Sequence, residues 1–343
     1  MRKVVSSVVA FCFSLVALAQ GKGFQIIERP EQKQVDILYN KQLLTAYCYY
    51  DSSRKPVLFP VNTVSGVAVT RGYPFRMIPG ERTDHPHHTG IWLNYESVNG
   101  LDFWNNSTAI PVEKRSQYGT IRHQQVLRKS TSGNTATLVT SSVWVRPDEK
   151  VLLNEVTTFQ FTVRGSDFII DRKSTLTATD TTVLFKDVKD GMVAIRVARE
   201  LELPSKEASS FVDEKGNVTK VPPSGNEVTG MYYASNGLRG DSVWSSQGPW
   251  VMLTGRKEKK DITIGLIDHP SNVGYPTYWH ARGYGLFAAN PLGRKVFSNG
   301  REELNYSIKP GASVTFQYRF VVHEGKTLSE NDMNRLAAAF AKS

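Results

Sequence analysis

From Phe24 onward the chain is built of short runs in which Val, Thr, Ile, Phe and Tyr alternate with polar residues, broken by Gly, Asn, Asp and Pro. The clearest runs are 34–39, 64–70, 135–146, 151–164, 167–179 and 182–186. A period of two puts every second side chain on one face, the mark of a strand, and no helical period intervenes. This cadence predicts an all-β fold, a large antiparallel sandwich. Several runs exceed ten residues, which implies large, curved sheets. Gly165-Ser166, between two of the longest, predicts a hairpin. Only the C-terminus departs from this pattern. After Ser329, residues Met333, Leu336, Ala337 and Phe340 follow the i, i+3, i+4, i+7 spacing, with Asp332 three residues beyond the N-cap serine. One helix with a single apolar stripe is therefore expected, packed on the edge of the sandwich.

The N-terminus carries Arg2 and Lys3, an apolar run from Val4 to Leu18 and the small-residue pattern Ala17-Leu18-Ala19. Together these describe a secretory signal peptide, residues 1–19, cleaved after Ala19 to leave 20–343 as one β domain in the periplasm or outside the cell. A lipid anchor at Cys12 fits less well, because Phe11 is bulky and the apolar run would be cut in half. No later segment is long and apolar enough to span a bilayer as a helix. Cleavage lowers the formal charge from +10 to +8 and leaves Cys48 as the one cysteine, so the mature chain has no intramolecular disulfide and is held by its core. Positive charge would suit uronates, sulfated glycans or nucleic acid. Lys and Arg are scattered, however, and their one cluster, Arg256-Lys257-Glu258-Lys259-Lys260, reads as a solvated hairpin turn, so nucleic acid is not expected as a partner. Between Glu207 and Val228 the chain becomes polar and turn-rich, an exposed excursion suited to bordering a cleft.

Three of the seven histidines fall within 85–88, in Asp84-His85-Pro86-His87-His88-Thr89-Gly90-Ile91-Trp92. Proline biases the residue before it toward extended backbone, so His85 is expected there. If Ile91, Leu93 and Tyr95 face the core, then His88, Gly90, Trp92 and Asn94 line the open face, where the glycine lets a ligand approach. A second cluster follows Ile262–Ile267: Asp268-His269-Pro270 repeats the triplet, and Tyr278, His280, Arg282 and Tyr284 alternate onto one face, with Trp279 between them. Asp190 and Arg196 read as a structural ion pair. Glu96, Asp102 and Trp104 complete a pocket wall, and His123 reads as a structural strand histidine.

Imidazoles titrate near neutrality, so one can act as base and another as acid across a sugar ring, as epimerisation, β-elimination or ring opening requires. The expected proton-transfer residues are His85, His87, His88 and His280. Asp84, Asn94, Tyr278 and Arg282 would orient them or hold substrate, and Trp92 or Trp279 would stack on a sugar. The rival is a divalent metal held by His85, His87, His88, His123, His269 or His280, although the helical spacing of a zincin is missing. A glycan-binding protein without catalysis is the other alternative. With no Gly-x-Ser-x-Gly and no Gly-rich strand-to-helix turn, covalent serine chemistry and an organic cofactor have no support.

The segments 84–92, 100–104, 187–192, 268–272, 276–280 and 284–291 resemble a family of secreted bacterial proteins of unknown function carried under the label methane oxygenase PmoA. The subunit that lends the label is an integral membrane protein, and no span follows the signal peptide here, so methane oxidation is set aside. The resemblance implies a context of glycan degradation and a fold similar to the galactose-mutarotase-like supersandwich, in which sugars bind the concave face of one sheet and histidines with a carboxylate perform acid/base work.

Overall fold

The computed structural model describes residues 22–205, 209–212, 218–221 and 227–343. The expected signal peptide and its cleavage point lie outside the described residues, as do the turn motifs 213–217 and 222–226 of the polar excursion.

Two eight-stranded sheets carry the fold, with all neighbouring strands antiparallel. The first runs, edge to edge, 24–29, 34–39, 42–48, 57–61, 91–95, 191–196, 286–290 and 278–282. The second runs 231–234, 250–257, 260–268, 313–324, 167–178, 151–164, 135–145 and 120–132. The alternation read from the sequence sets the burial. Ile91, Leu93, Tyr95, Val193, Ile195 and Phe287 of the first sheet meet Phe159, Phe161, Ile170, Leu266 and Phe320 of the second in one core. On the second sheet's other face lies the helix Glu330–Phe340, capped by Ser329 and Asp332 as expected, with Met333 and Phe340 buried against Ile169, Trp250 and Val321. Each such side chain contributes about 1.5–3 kcal/mol of burial.

The first sheet is covered on its other face too. Cys48, Phe59, Trp92, Ala194, Leu286 and Ala288 form a smaller apolar cluster there with Trp104, and the histidine-rich turn sits on it. The expected strand over 64–70 is instead a loop, held by isolated bridges from Asn62 to Ala68 and from Thr70 to Val197. Its reason is local: Thr63 N–H donates to Val67 O, and Gly66, at φ +98°, closes a turn in mid-run. Residues 183–185 form a short strand outside both large sheets, paired with 306–308 and bridged by Phe185 to Val98. Glu258 and Lys259 form the expected hairpin turn, both at positive φ.

Candidate functional site

The segment 84–88 is a tight turn closed by His88 N–H donating to His85 O at 2.9 Å. His85 is left-handed at φ +43°, not extended as the following proline suggests. Arg71 supplies the reason. Fully buried, it donates from Nη1 to Asp84 O (2.8 Å) and Oδ1 (2.7 Å), and from Nη2 to His85 O (2.9 Å) and His88 O (3.0 Å). One guanidinium thus collects the turn's carbonyls and fixes its curvature. Gly90, at φ +57°, serves the scaffold too: a Cβ there would lie 2.1 Å from Leu58 O, so the glycine admits the neighbouring strand rather than a ligand. The described part of the excursion joins here, because strands 209–212 and 218–221 pair and Thr83 N–H donates to Ser210 O at 3.2 Å.

Arg196, also buried, donates from Nη2 to Asp84 Oδ1 at 2.6 Å and lies 3.1 Å from His88 Nδ1 through Nη1. A guanidinium only donates, so His88 Nδ1 accepts and its proton sits on Nε2. The expected Asp190–Arg196 pair is therefore replaced by Asp84–Arg196. Burial opposes ionisation of Asp84, but the hydrogen bond from His85 and the charges of Arg196 and Arg71 outweigh it and hold the carboxyl well below its usual range. The rings are layered: His85 lies parallel to His88 (centroids 4.8 Å apart) and to Tyr284 (5.1 Å), and His88 stacks on Trp92 (5.3 Å). His87 stands edge-on to His88, and burial and then neighbouring cations push both far below the ordinary imidazole range. His85 is the exposed member.

Across the outer face, register aligns Trp92, Ala194, Ala288 and His280 on adjacent strands. Strand spacing puts Trp92 and His280 on the order of 14 Å apart at the backbone, with two small alanines between. His280 is 2% exposed, and its Nδ1 lies 3.3 Å from Asp190 Oδ1. Burial, then the charges of Lys189, Arg282 and His85, push its pKa down to about 3, so the ring is neutral. Asp190 moves the other way: burial raises it against the pull of Lys189, and Asp102 raises it further. Glu96 and Asp102 are raised chiefly by burial as well, and Glu96 Oε2 accepts from Asp190 N–H at 3.2 Å. Below them the buried Lys55 donates to His87 O at 2.7 Å and lies 5.4 Å from the Trp92 ring, its pKa pushed down to about 7 by burial, with Asp102 opposing.

Several expected site residues fall elsewhere. Trp279 faces the core between the sheets, its Nε1 bonded to Gly248 O, and Trp92 is fully buried under His88 and beside Trp104, so neither presents a face to a sugar. Asn94 is buried and donates to Phe103 O. Tyr278 is nearly covered, stacked on Phe297. Arg282 is exposed, 5.9 Å from the Tyr284 ring. His123 lies on Tyr49 at 4.1 Å, with Nδ1 3.1 Å from Tyr47 Oη, and His269 packs edge-on to Phe340. Neither joins the turn, and among the described residues no group of three or more His, Cys, Asp or Glu is placed to hold a metal ion. Parallel stacking explains this for His85 and His88, since in-plane lone pairs of parallel rings do not converge. Arg71 and Lys55 join the site although no motif surrounds either in the sequence.

A search of curated proteins returns no match. Among solved structures, the chain is similar to the GH36 alpha-galactosidase AgaB of Geobacillus stearothermophilus, at 12% identity and TM-score 0.41, covering 88% of this chain and 41% of that one. The galactosidase domain of the alpha-galactosidase-sucrose kinase AgaSK gives 11% identity and TM-score 0.41, covering 88% and 42%. A galactose mutarotase-related enzyme from Lactobacillus acidophilus gives 9% identity and TM-score 0.31, covering 89% and 100%. The chain thus spans about two fifths of the two galactosidase chains. A family model matches residues 34–338, and the chain belongs to that family, DUF6807, a family of unknown function.

Proposed function

We propose that the outer face of the first sheet binds a carbohydrate and moves a proton on it, without an organic cofactor. The observation that carries this reading is the pairing of Asp190 with the neutral, buried His280, beside the exposed His85. Burial raises the Asp190 carboxyl above the ordinary carboxylate range, the direction of shift that suits a carboxyl to acid/base work. An imidazole held at about pKa 3 is too weak a base for that task and serves instead as a neutral neighbour of the carboxyl. Proton transfer therefore passes from the histidines as a group to Asp190, with His85 as its exposed counterpart. His88 and Trp92 form the floor, and Asp84, fixed by two arginines, orients His85 through Nδ1 at 3.1 Å. Tyr284 and Arg282 offer a ring and a cation at the rim, the groups that a sugar's C–H face and hydroxyls use. Epimerisation, elimination and glycan cleavage all fit this chemistry. The protein would act after export, following cleavage after Ala19.

A binding role without chemistry draws on a separate observation: burial holds His87, His88 and His280 neutral, and His88 is spent on Arg196 and Trp92. Proton NMR in D2O with neutral, uronic and oxidised sugars and oligosaccharides separates the two. Loss of a C–H signal, or a new anomeric or alkene signal, abolished in Asp190→Asn, supports catalysis. Line broadening without chemical change supports binding alone, and silence toward every sugar contradicts both.

A further inference from the structure

A second cleft, of about 460 Å³, lies beside this site, between the loop 49–56 and the start of the strand 120–132. Its size is that of a small-ligand pocket. The wall is tied together by Ile121 N–H donating to Arg54 O at 2.9 Å. One side is aromatic: His123 lies flat on Tyr49, ring centroids 4.1 Å apart, and Tyr47 Oη fixes the imidazole. The other is cationic. Lys33, Arg54, Lys55 and Arg122 line the cleft against Asp51 alone. Lys33 pairs with Asp51 and Arg122 with Glu149, but Arg54 and Lys55 have no carboxylate in ion-pair contact among the described residues. Lys55 also joins the two sites, since it lines the cleft while its ammonium bonds to His87 O.

We propose that this cleft is a subsite for an anionic sugar unit, its carboxylate or sulfate meeting Arg54 and its ring lying against the Tyr49–His123 pair. The proposal rests on the carbohydrate reading and narrows it to acidic saccharides long enough to reach from the cleft to His85. A guanidinium without a partner recruits an oxyanion bidentately, and an aromatic pair offers the apolar face of a sugar its contact.

The test is calorimetric titration of the full mature chain with neutral, uronic-acid and sulfated oligosaccharides of equal length, in wild type, Arg54→Ala, Arg54→Lys and Asp190→Asn. An acidic oligosaccharide should bind about tenfold or more tightly than its neutral counterpart, the scale of one charge-assisted contact. Arg54→Ala should erase that preference, Arg54→Lys should restore part of it, and Asp190→Asn should leave it intact. The uronic and sulfated arms identify which anion is read. Equal affinity for neutral and acidic sugars, or a preference that survives Arg54→Ala in a protein with unchanged melting temperature, overturns the subsite while leaving the carbohydrate reading standing. Failure of every sugar to bind overturns both.

Discussion

Asp84 and Asp268 each begin an Asp-His-Pro triplet, yet Asp84 meets two arginines whereas Asp268 meets only neutral donors. Asp268 is 2% exposed, accepting from Asn272 Nδ2 at 2.7 Å and Thr277 N at 2.9 Å, and burial lifts its pKa to about 7. Asn272 in turn both donates to and accepts from the backbone of Gln317. The second triplet therefore staples the loop that leads from the second sheet into the strand Tyr278–Arg282, and so places His280. In the first, the carboxylate is compensated and partly open to solvent, and the histidine beside it is exposed. The same three residues make a site or a staple according to which remote side chains reach them. An arginine keeps the aspartate charged at the surface, whereas apolar burial nearly neutralises it.

The largest expected effect is on the arginine that separates the two cases. Arg71→Ala leaves Asp84 with Arg196 but strips the turn's carbonyls of their shared donor, at a cost of about 1–3 kcal/mol for each group left buried and unbonded, read as a lowered urea midpoint. Next, Asp190→Asn should lower turnover by about 10²–10⁴-fold with little change in melting temperature.

The two aspartates should also give opposite pH slopes. The depressed pKa of Asp84 adds stability that is present at neutral pH and lost as pH falls below the usual carboxylate range, so Asp84→Asn flattens the acid limb of the stability curve. Asp268, raised to about 7, binds its proton more tightly when folded, so it costs stability as pH rises from about 4 toward 7. Asp268→Asn should remove that decline, while losing about 1–3 kcal/mol throughout because an amide N–H must face the donor of Asn272 or Thr277. Denaturant midpoints across pH 3–8 check both signs. Smallest is His269→Ala, with a loss of about 1 kcal/mol or less from its contact with Phe340 and no change in sugar binding.

Local patterns were legible in the sequence. The strands 151–164 and 167–178 with their Gly165-Ser166 turn, the cap at Ser329 and the inward set Ile91, Leu93, Tyr95 are all encoded by period and turn chemistry. The histidine cluster was equally visible. What sequence spacing does not carry is the partner from afar: Arg71 and Lys55 come from loops 13 and 32 residues before the groups they bind, and Arg196 from 112 residues beyond Asp84. Trp92 and Trp279 are closed to a ligand for different reasons: His88 and Trp104 cover Trp92 on the outer face, which alternation does not show, whereas alternation itself puts Trp279 opposite His280, in the core between the sheets.

The most direct test of this division is to compare His85→Ala with His269→Ala on one sugar panel by proton NMR in D2O, with melting temperatures measured beside them. Sugar binding or turnover should collapse in His85→Ala and match wild type in His269→Ala. Unchanged behaviour in His85→Ala, or an equal loss in His269→Ala with its fold intact, would contradict that division.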